Sequence, residues 1–190
     1  MIKYIALFIL FVPFISLAQN NLEWKEGYQL TVDAYQAKAP NSGTMQTVSG
    51  SFYVAYEMKG MNLITTRNLN SYVSCYLQRD ASYIDKGNAI VTKRLLRYQQ
   101  LIFNLYELQA RKLRQKFFEE RKRLLTKGAG TLYNEVAADH ARLVSEIEGE
   151  TNHGYSSEEM EKWFKWTNQE LEKLSDYCKT CKPKRKKNNK

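Results

Sequence analysis

Two histidines and three cysteines occur in 190 residues, so metal or acid–base chemistry can be sought only where they stand. His140 lies within a helical pattern, and His153 follows it in the segment ETNHG (Glu150–Gly154), behind the acidic run Glu146, Glu148 and Glu150. His140, His153 and Glu150 have the residue types of an acid–base pair or of a residual metal site. Catalytic zinc takes about three protein ligands, and no second motif with metal-ligand spacing accompanies them. The plainer reading makes His140 a satisfied, partly buried histidine on an apolar stripe and the glutamates a solvated charged surface. Cys178 and Cys181 form a CxxC pair, which suits half a zinc site, a redox dithiol or a small disulfide. A thioredoxin-like use needs a βαβ context and a helix start, neither visible here, and two thiolates are too few for structural zinc unless another chain contributes. In an oxidising compartment a local or intermolecular disulfide leads, with Cys75 left as a buried odd thiol on a strand.

The element that must position any such site is the stretch Arg94–Leu125, RLLRYQQLIFNLYELQARKLRQKFFEERKRLL. Leu95, Tyr98, Leu101, Ile102, Leu105, Leu108 and Leu113 recur at helical spacing, with charged residues on the opposite side. Within it, LLRYQQLIFNLYELQARKLR resembles the active-site helix of a bacterial family called domain of unknown function 922, often described as predicted secreted zinc-dependent proteases, where the helix typically reads LLxHExxHFDIxExxARKLR. Two further segments agree with that family in the same order, VSCYLQRDASYI (Val73–Ile84) and ETNHG, and the likeness covers most of the chain from Leu22 to Leu174.

That resemblance implies a zincin-like α+β fold and an ancestral zinc chemistry whose key letters are absent. In an HExxH helix, histidines four apart project from one face and bind zinc together, while the glutamate after the first acts as general base on the metal-bound water. Here Tyr98 and Ile102 stand at the histidine positions, Gln99 at the glutamate, and Asn104 at the family's aspartate, so the motif reads Tyr98-Gln99-Gln100-Leu101-Ile102. Ile102 has no donor atom, Tyr98 would have to lose a phenolic proton of pKa ~10 to become a good ligand, and Gln99 cannot take up a proton. His153 occupies what looks like the family's third ligand position, and one imidazole does not hold zinc against water. No cofactor and no metal are therefore expected.

Residues 1–18 read as a secretory signal peptide, with Lys3, an apolar core from Tyr4 to Leu17 and the small-x-small signal Ser16-Leu17-Ala18. An uncleaved anchor needs about twenty apolar residues, and this run is shorter and carries Pro13. The chain is thus expected to be secreted or periplasmic. Its formal charge is +9, which suits anionic envelope polymers, lipid surfaces or acidic proteins, whereas an exported chain is not expected to meet nucleic acid.

Residues 22–176 are expected to form one domain, its β half first. Ser51–Met58 and Asn62–Thr66 read as strands around a Lys59-Gly60 turn, Tyr72–Leu77 as a third, and Trp24 with Gly27–Asp33 as an earlier strand or edge. Ala37–Gly43 reads as a loop. Phe52, Val54, Tyr56 and Met58 share the face that should pack on the long helix. In zincin-like proteases an edge strand lines the cleft and pairs with extended substrate, so strand addition by a peptide is open here, although edges more often merely cover a helix.

After a break at Lys127–Gly130, Leu132–Ile147 reads as a second helix. Ser156 with Glu159 makes a capping box for a third, on which Met160, Trp163, Phe164, Thr167, Leu171 and Leu174 repeat, with Trp163 the core anchor and Trp166 less buried. Residues 177–190 read as a disordered basic tail that includes the CxxC pair, either a tether to an anionic surface or a solubilising end. The fold class is α+β, a small antiparallel or mixed sheet on one long helix followed by two more helices. The function expected is that of an exported, catalytically inactive relative of the zinc-protease-like family, binding an unknown protein or peptide in its former cleft. The alternatives are a hydrolase with chemistry relocated to His140 and His153, and a structural envelope component held by its tail.

Overall fold

The computed structural model describes residues 20–40, 46–58 and 60–183. The signal-peptide reading, the residues around Asn41–Gly43, Lys59 of the expected turn and the basic end from Lys184 lie outside them. In chain order the elements are β1 (Asn21–Glu23), β2 (Val48–Ser49), β3 (Phe52–Tyr56), α1 (Gly60–Thr65), β4 (Val73–Gln78), β5 (Tyr83–Ile84), α2 (Ala89–Glu119), α3 (Arg121–Lys127), α4 (Ala129–Glu150) and α5 (Ser157–Lys173). The fold is mixed α+β. Its strands form a three-stranded sheet in the order β1-β4-β3 and a separate β2-β5 pair, all antiparallel.

The long helix begins earlier than its hydrophobic repeat, because the Asn88 side chain accepts from the backbone N–H of Ile90 (2.9 Å) and Val91 (3.2 Å) and so caps the first turn. It also ends earlier. The backbone leaves helical geometry at Glu120, and the expected single helix divides into α2 and α3. A network of Lys116, Glu120, Arg123 and Glu135 spans the break and ties α2 and α3 to α4. Leu101, Phe103, Leu105, Leu113 and Phe117 are fully buried in the core. The sheet lies on this helix through Phe52, which stacks on Phe103 at 5.2 Å between centroids, and through Tyr56, edge-on to Phe117 at 6.0 Å.

Two of the expected strands are redistributed. β4 takes the place beside β3, from Phe52↔Leu77 to Tyr56↔Val73, which leaves Asn62–Thr66 without a ladder. Despite its β-branched residues that segment falls largely within α1, with Met61 and Ile64 exposed. The early strand is Asn21–Glu23 rather than Gly27–Asp33, because the Leu30 N–H donates to Gln100 Oε1 (2.7 Å) instead of to a neighbouring strand. The β2-β5 pair has too few residues for an alternating pattern to be legible.

α4 and α5 pack against α2, and Ser156 caps α5 by accepting from the Glu159 N–H. Trp163 is not the core anchor expected of it. It is half-buried, as is Trp166, and their rings meet edge-to-face at 5.3 Å while Trp163 Nε1 donates to Glu150 Oε2 (2.9 Å). Leu132, Ile147 and Met160 fill the core instead.

The expected tail also behaves differently from its composition. Tyr177–Pro183 is docked on the body, with Cys178 and Cys181 joined by a disulfide. Asn70 Nδ2, buried beneath this turn, donates to the carbonyls of Asp176 (3.2 Å), Cys178 (3.0 Å) and Cys181 (3.1 Å), and Lys179 pairs with Glu23. One amide gathering three carbonyls holds the turn more firmly than its polar sequence suggests. Asn70→Ala is expected to cost about 1–3 kcal/mol and to accelerate hydrogen exchange at the Cys178 and Cys181 amides relative to those of α2.

Candidate functional site

Tyr98, Gln99 and Ile102 share one face of α2, together with Leu95 and Tyr106, and open into a cleft of about 650 Å³. The opposite wall is the segment Gln46–Gly50 with Phe52, and the far end is closed by Glu148, Asn152, His153 and Tyr155. His153 therefore does reach the helix face that the resemblance assigns it to, its ring 6.4 Å from that of Tyr98 in an edge-on arrangement. Asn104 does not. It faces the other side of α2, where its Oδ1 accepts from Trp24 Nε1 (3.0 Å) and Gln100 Nε2 (3.0 Å) and so anchors the N-terminal segment.

The geometry at the end of α4 depends on three consecutive residues of positive φ, Asn152 (47°), His153 (51°) and Gly154 (89°). Thr151, fully buried, holds the turn by accepting from the Gly154 and Ser156 N–H groups through its carbonyl (3.1 and 2.9 Å). A Cβ on Gly154 would stand 2.6 Å from Tyr98 Cβ, so only glycine allows this turn to lie against α2. On the other wall a Cβ on Gly50 would stand 2.2 Å from Gln99 Oε1 and 2.3 Å from the Phe52 ring. Close approach of both walls to α2 thus rests on Gly50 and Gly154. The sequence signal that could have found them is a glycine beside Asn152-His153 and one directly before a strand.

Electrostatics set what these groups can do. The Tyr98 hydroxyl donates to Glu148 Oε1 (3.3 Å), and burial together with that carboxylate pushes the phenol above its ordinary range, so it stays protonated. Gln99 is buried, and its Oε1 has no hydrogen-bond partner among the described residues. His140 is buried as well, but its Nε2 is without a partner among the described residues rather than satisfied as expected. Burial, with the Lys112 charge beyond it, pulls its pKa down to about 4.

His140 and His153 are not brought together. His153 borders the cleft, whereas His140 sits edge-on to Tyr106 (4.4 Å between centroids) on a neighbouring groove. Of the acidic run expected to be solvated, Glu146 and Glu150 are exposed, Glu150 also accepting from Trp163, whereas Glu148 is half-buried and accepts from Tyr98. Zinc does not fit the residues of the segment that resembles the motif: Ile102 offers no donor atom, Tyr98 keeps its proton, and Glu148 already serves Tyr98. No group of three or more His, Cys, Asp or Glu among the described residues is arranged to hold a metal ion.

What the sequence left unseen is the extent of the concavity. A second groove of about 420 Å³ runs on from the cleft between β3 and α4, and the two share Phe52, Tyr106, Val144 and Glu148. Comparison with family models, with curated proteins and with solved structures finds no match for the chain.

Proposed function

We propose that this chain is a non-catalytic peptide-binding protein, an inactive relative of the family it resembles, and that an extended polypeptide adds to the edge of β3 in the groove over α2. The observation that carries the reading is the unpaired strand edge. β3 pairs only with β4 among the described residues. The bonds Gln78 N–H to Ser51 O and Glu57 N–H to Tyr72 O (both 2.9 Å) set the ladder's phase. In that phase Tyr53 and Ala55, with the Ser51 carbonyl and the Glu57 N–H, use their backbone groups on β4 and the residue before it, the Ser51 N–H donates to Ser82 Oγ (2.9 Å), and Phe52, Val54 and Tyr56 turn theirs to the open edge. Strand addition satisfies such groups directly, and an unoccupied edge is otherwise a liability to a protein.

The side chains support binding over catalysis. Gln99 supplies a buried acceptor with no partner among the described residues, Tyr98 is locked as a donor to Glu148, and Val48, Phe52, Leu95, Ile102, Tyr106 and Val144 give the rest of the lining a largely apolar surface between a few polar groups. A mostly apolar cleft with a few fixed polar groups is the usual composition of a ligand site. Export fits the same reading, through the signal-peptide pattern of residues 1–18.

Placing a photo-crosslinking p-benzoylphenylalanine at Tyr155, an exposed aromatic position on the cleft, tests the proposal in whole cells. One reproducible adduct is expected, and its cross-linked segment, located by mass spectrometry, should be an extended peptide. The adduct should be lost when Val54, on the open edge, is replaced by proline. A correctly folded protein that yields no adduct, or an adduct indifferent to Val54→Pro, would overturn strand addition in this groove.

A further inference from the structure

We infer that the groove between β3 and α4 is a side-chain subsite for a phenol, the side chain of a tyrosine carried by the bound peptide; this rests on the peptide-binding reading above. The groove has Phe52, Tyr53 and Val54 on its strand wall, Tyr106 and Gln109 from α2, and Tyr133, Ala137, His140, Ala141 and Val144 from α4. Ala137 and Ala141 leave room that larger residues would fill, and the rings of Phe52, Tyr106 and Tyr133 offer faces and edges to a flat guest.

Two buried polar atoms select among flat guests. Gln109 is 4% exposed and His140 9% exposed, and both border the groove. Gln109 Oε1 and His140 Nε2 have no hydrogen-bond partner among the described residues. Buried polar atoms are seldom left so, and each calls for an explanation. The two residues also border a void of only about 10 Å³ beneath the groove, at the lower limit for a single water.

The chemistry of the pair is specific. An amide oxygen only accepts, and a neutral imidazole nitrogen accepts or donates according to its tautomer. A phenolic hydroxyl carries one donor and two acceptor positions, so it can donate to Gln109 Oε1 while accepting from His140 Nε2–H. A phenyl ring would leave both atoms bare, and an indole N–H would serve one. An ammonium group would face the Lys112 charge that already bears on His140.

The probe is p-cresol, the tyrosine side chain as a free molecule, set against toluene, that of phenylalanine. The chain has two histidines, so an untagged protein gives two Hε1 signals in its proton NMR spectrum, assigned with His153→Gln. Titration at neutral pH is expected to move the His140 signal saturably, with p-cresol binding on the order of thirtyfold more tightly than toluene, the factor of about two neutral hydrogen bonds. Gln109→Met keeps the volume and removes one of the two bonds, and should reduce the preference for p-cresol to roughly fivefold. A shift confined to His153, no saturable shift, or equal affinity of the native protein for both probes would overturn the subsite; the last would mean that a trapped water already serves both atoms. Failure of the peptide reading is separately visible, because a Tyr155 position without an adduct leaves the p-cresol titration unaffected.

Discussion

Replacing Glu107 by glutamine is expected to destabilise the fold by about 3–5 kcal/mol, the range seen when one partner of a buried ion pair is removed. Glu107, Arg111 and Arg114 are all nearly inaccessible on the side of α2 away from the cleft. The carboxylate accepts from Arg114 Nη1 (2.7 Å) and from Arg111 Nε (3.2 Å), so a single negative charge serves two guanidinium groups. Glutamine preserves the shape and leaves two buried cations with no anion. The guanidinium groups are occupied elsewhere too. Arg114 donates to Val73 O through Nε (3.2 Å) and Nη2 (2.9 Å) and to Tyr177 O (3.1 Å), and Arg111 donates to Leu171 O (2.7 Å).

These bonds join β4, the end of α5 and the docked C-terminal turn to the central helix. For that reason, exchanging all three residues for apolar ones of similar volume should not restore stability, as it can for a cluster whose charges serve only one another. The carbonyls of Val73, Leu171 and Tyr177 would lose their donors. Urea unfolding of Glu107→Gln and of the triple variant measures both effects. A loss below about 1 kcal/mol for Glu107→Gln would mean that water reaches the cluster through the adjoining cavity of about 340 Å³ that these residues line.

The second large effect is expected at Gly154. Substitution by alanine places a side chain at φ +89° and 2.6 Å from Tyr98 Cβ. The left-handed conformation costs a non-glycine residue about 1–2 kcal/mol and forced overpacking about 1–3 kcal/mol, giving a loss of roughly 2–5 kcal/mol. The neighbour cannot retreat, since Tyr98 Cβ is fixed to the backbone of α2. The turn must therefore lift, carrying His153 and Tyr155 with it, and thermal unfolding should be accompanied by a weaker Tyr155 cross-link in the surviving folded protein. Unchanged stability together with unchanged cross-linking would show that the turn does not lie against α2.

What was legible in the sequence follows from how local each signal is. The period of Leu95, Tyr98, Leu101, Ile102 and Leu105 identifies a helix and its buried face without reference to any other element. Ser156 and Glu159 mark the start of α5 because a cap is made within four residues. The alternation of Phe52 and Val54 marks both a strand and the side it buries. Even the absence of ligand chemistry at Tyr98, Gln99 and Ile102 is a property of residue type alone.

Tertiary structure decided whatever depends on a distant partner. Asn62–Thr66 has the composition of a strand, but a strand needs a neighbour, and β4 had already taken the place beside β3. Asn104 and Gln100 lie among the letters of the motif, yet their roles were set by Trp24 and Leu30, which reach them from about seventy or more residues away along the chain. The turn at Cys178–Cys181 is polar and basic, and it is held by partners far away in the chain, Asn70 beneath it, Glu23 beside it and Arg114 of α2. The groove itself is written nowhere in the chain. It is the space left between a strand edge unpaired among the described residues and a helix that faces it partly with Ala137 and Ala141, and a space of that kind exists only after both have been packed on α2.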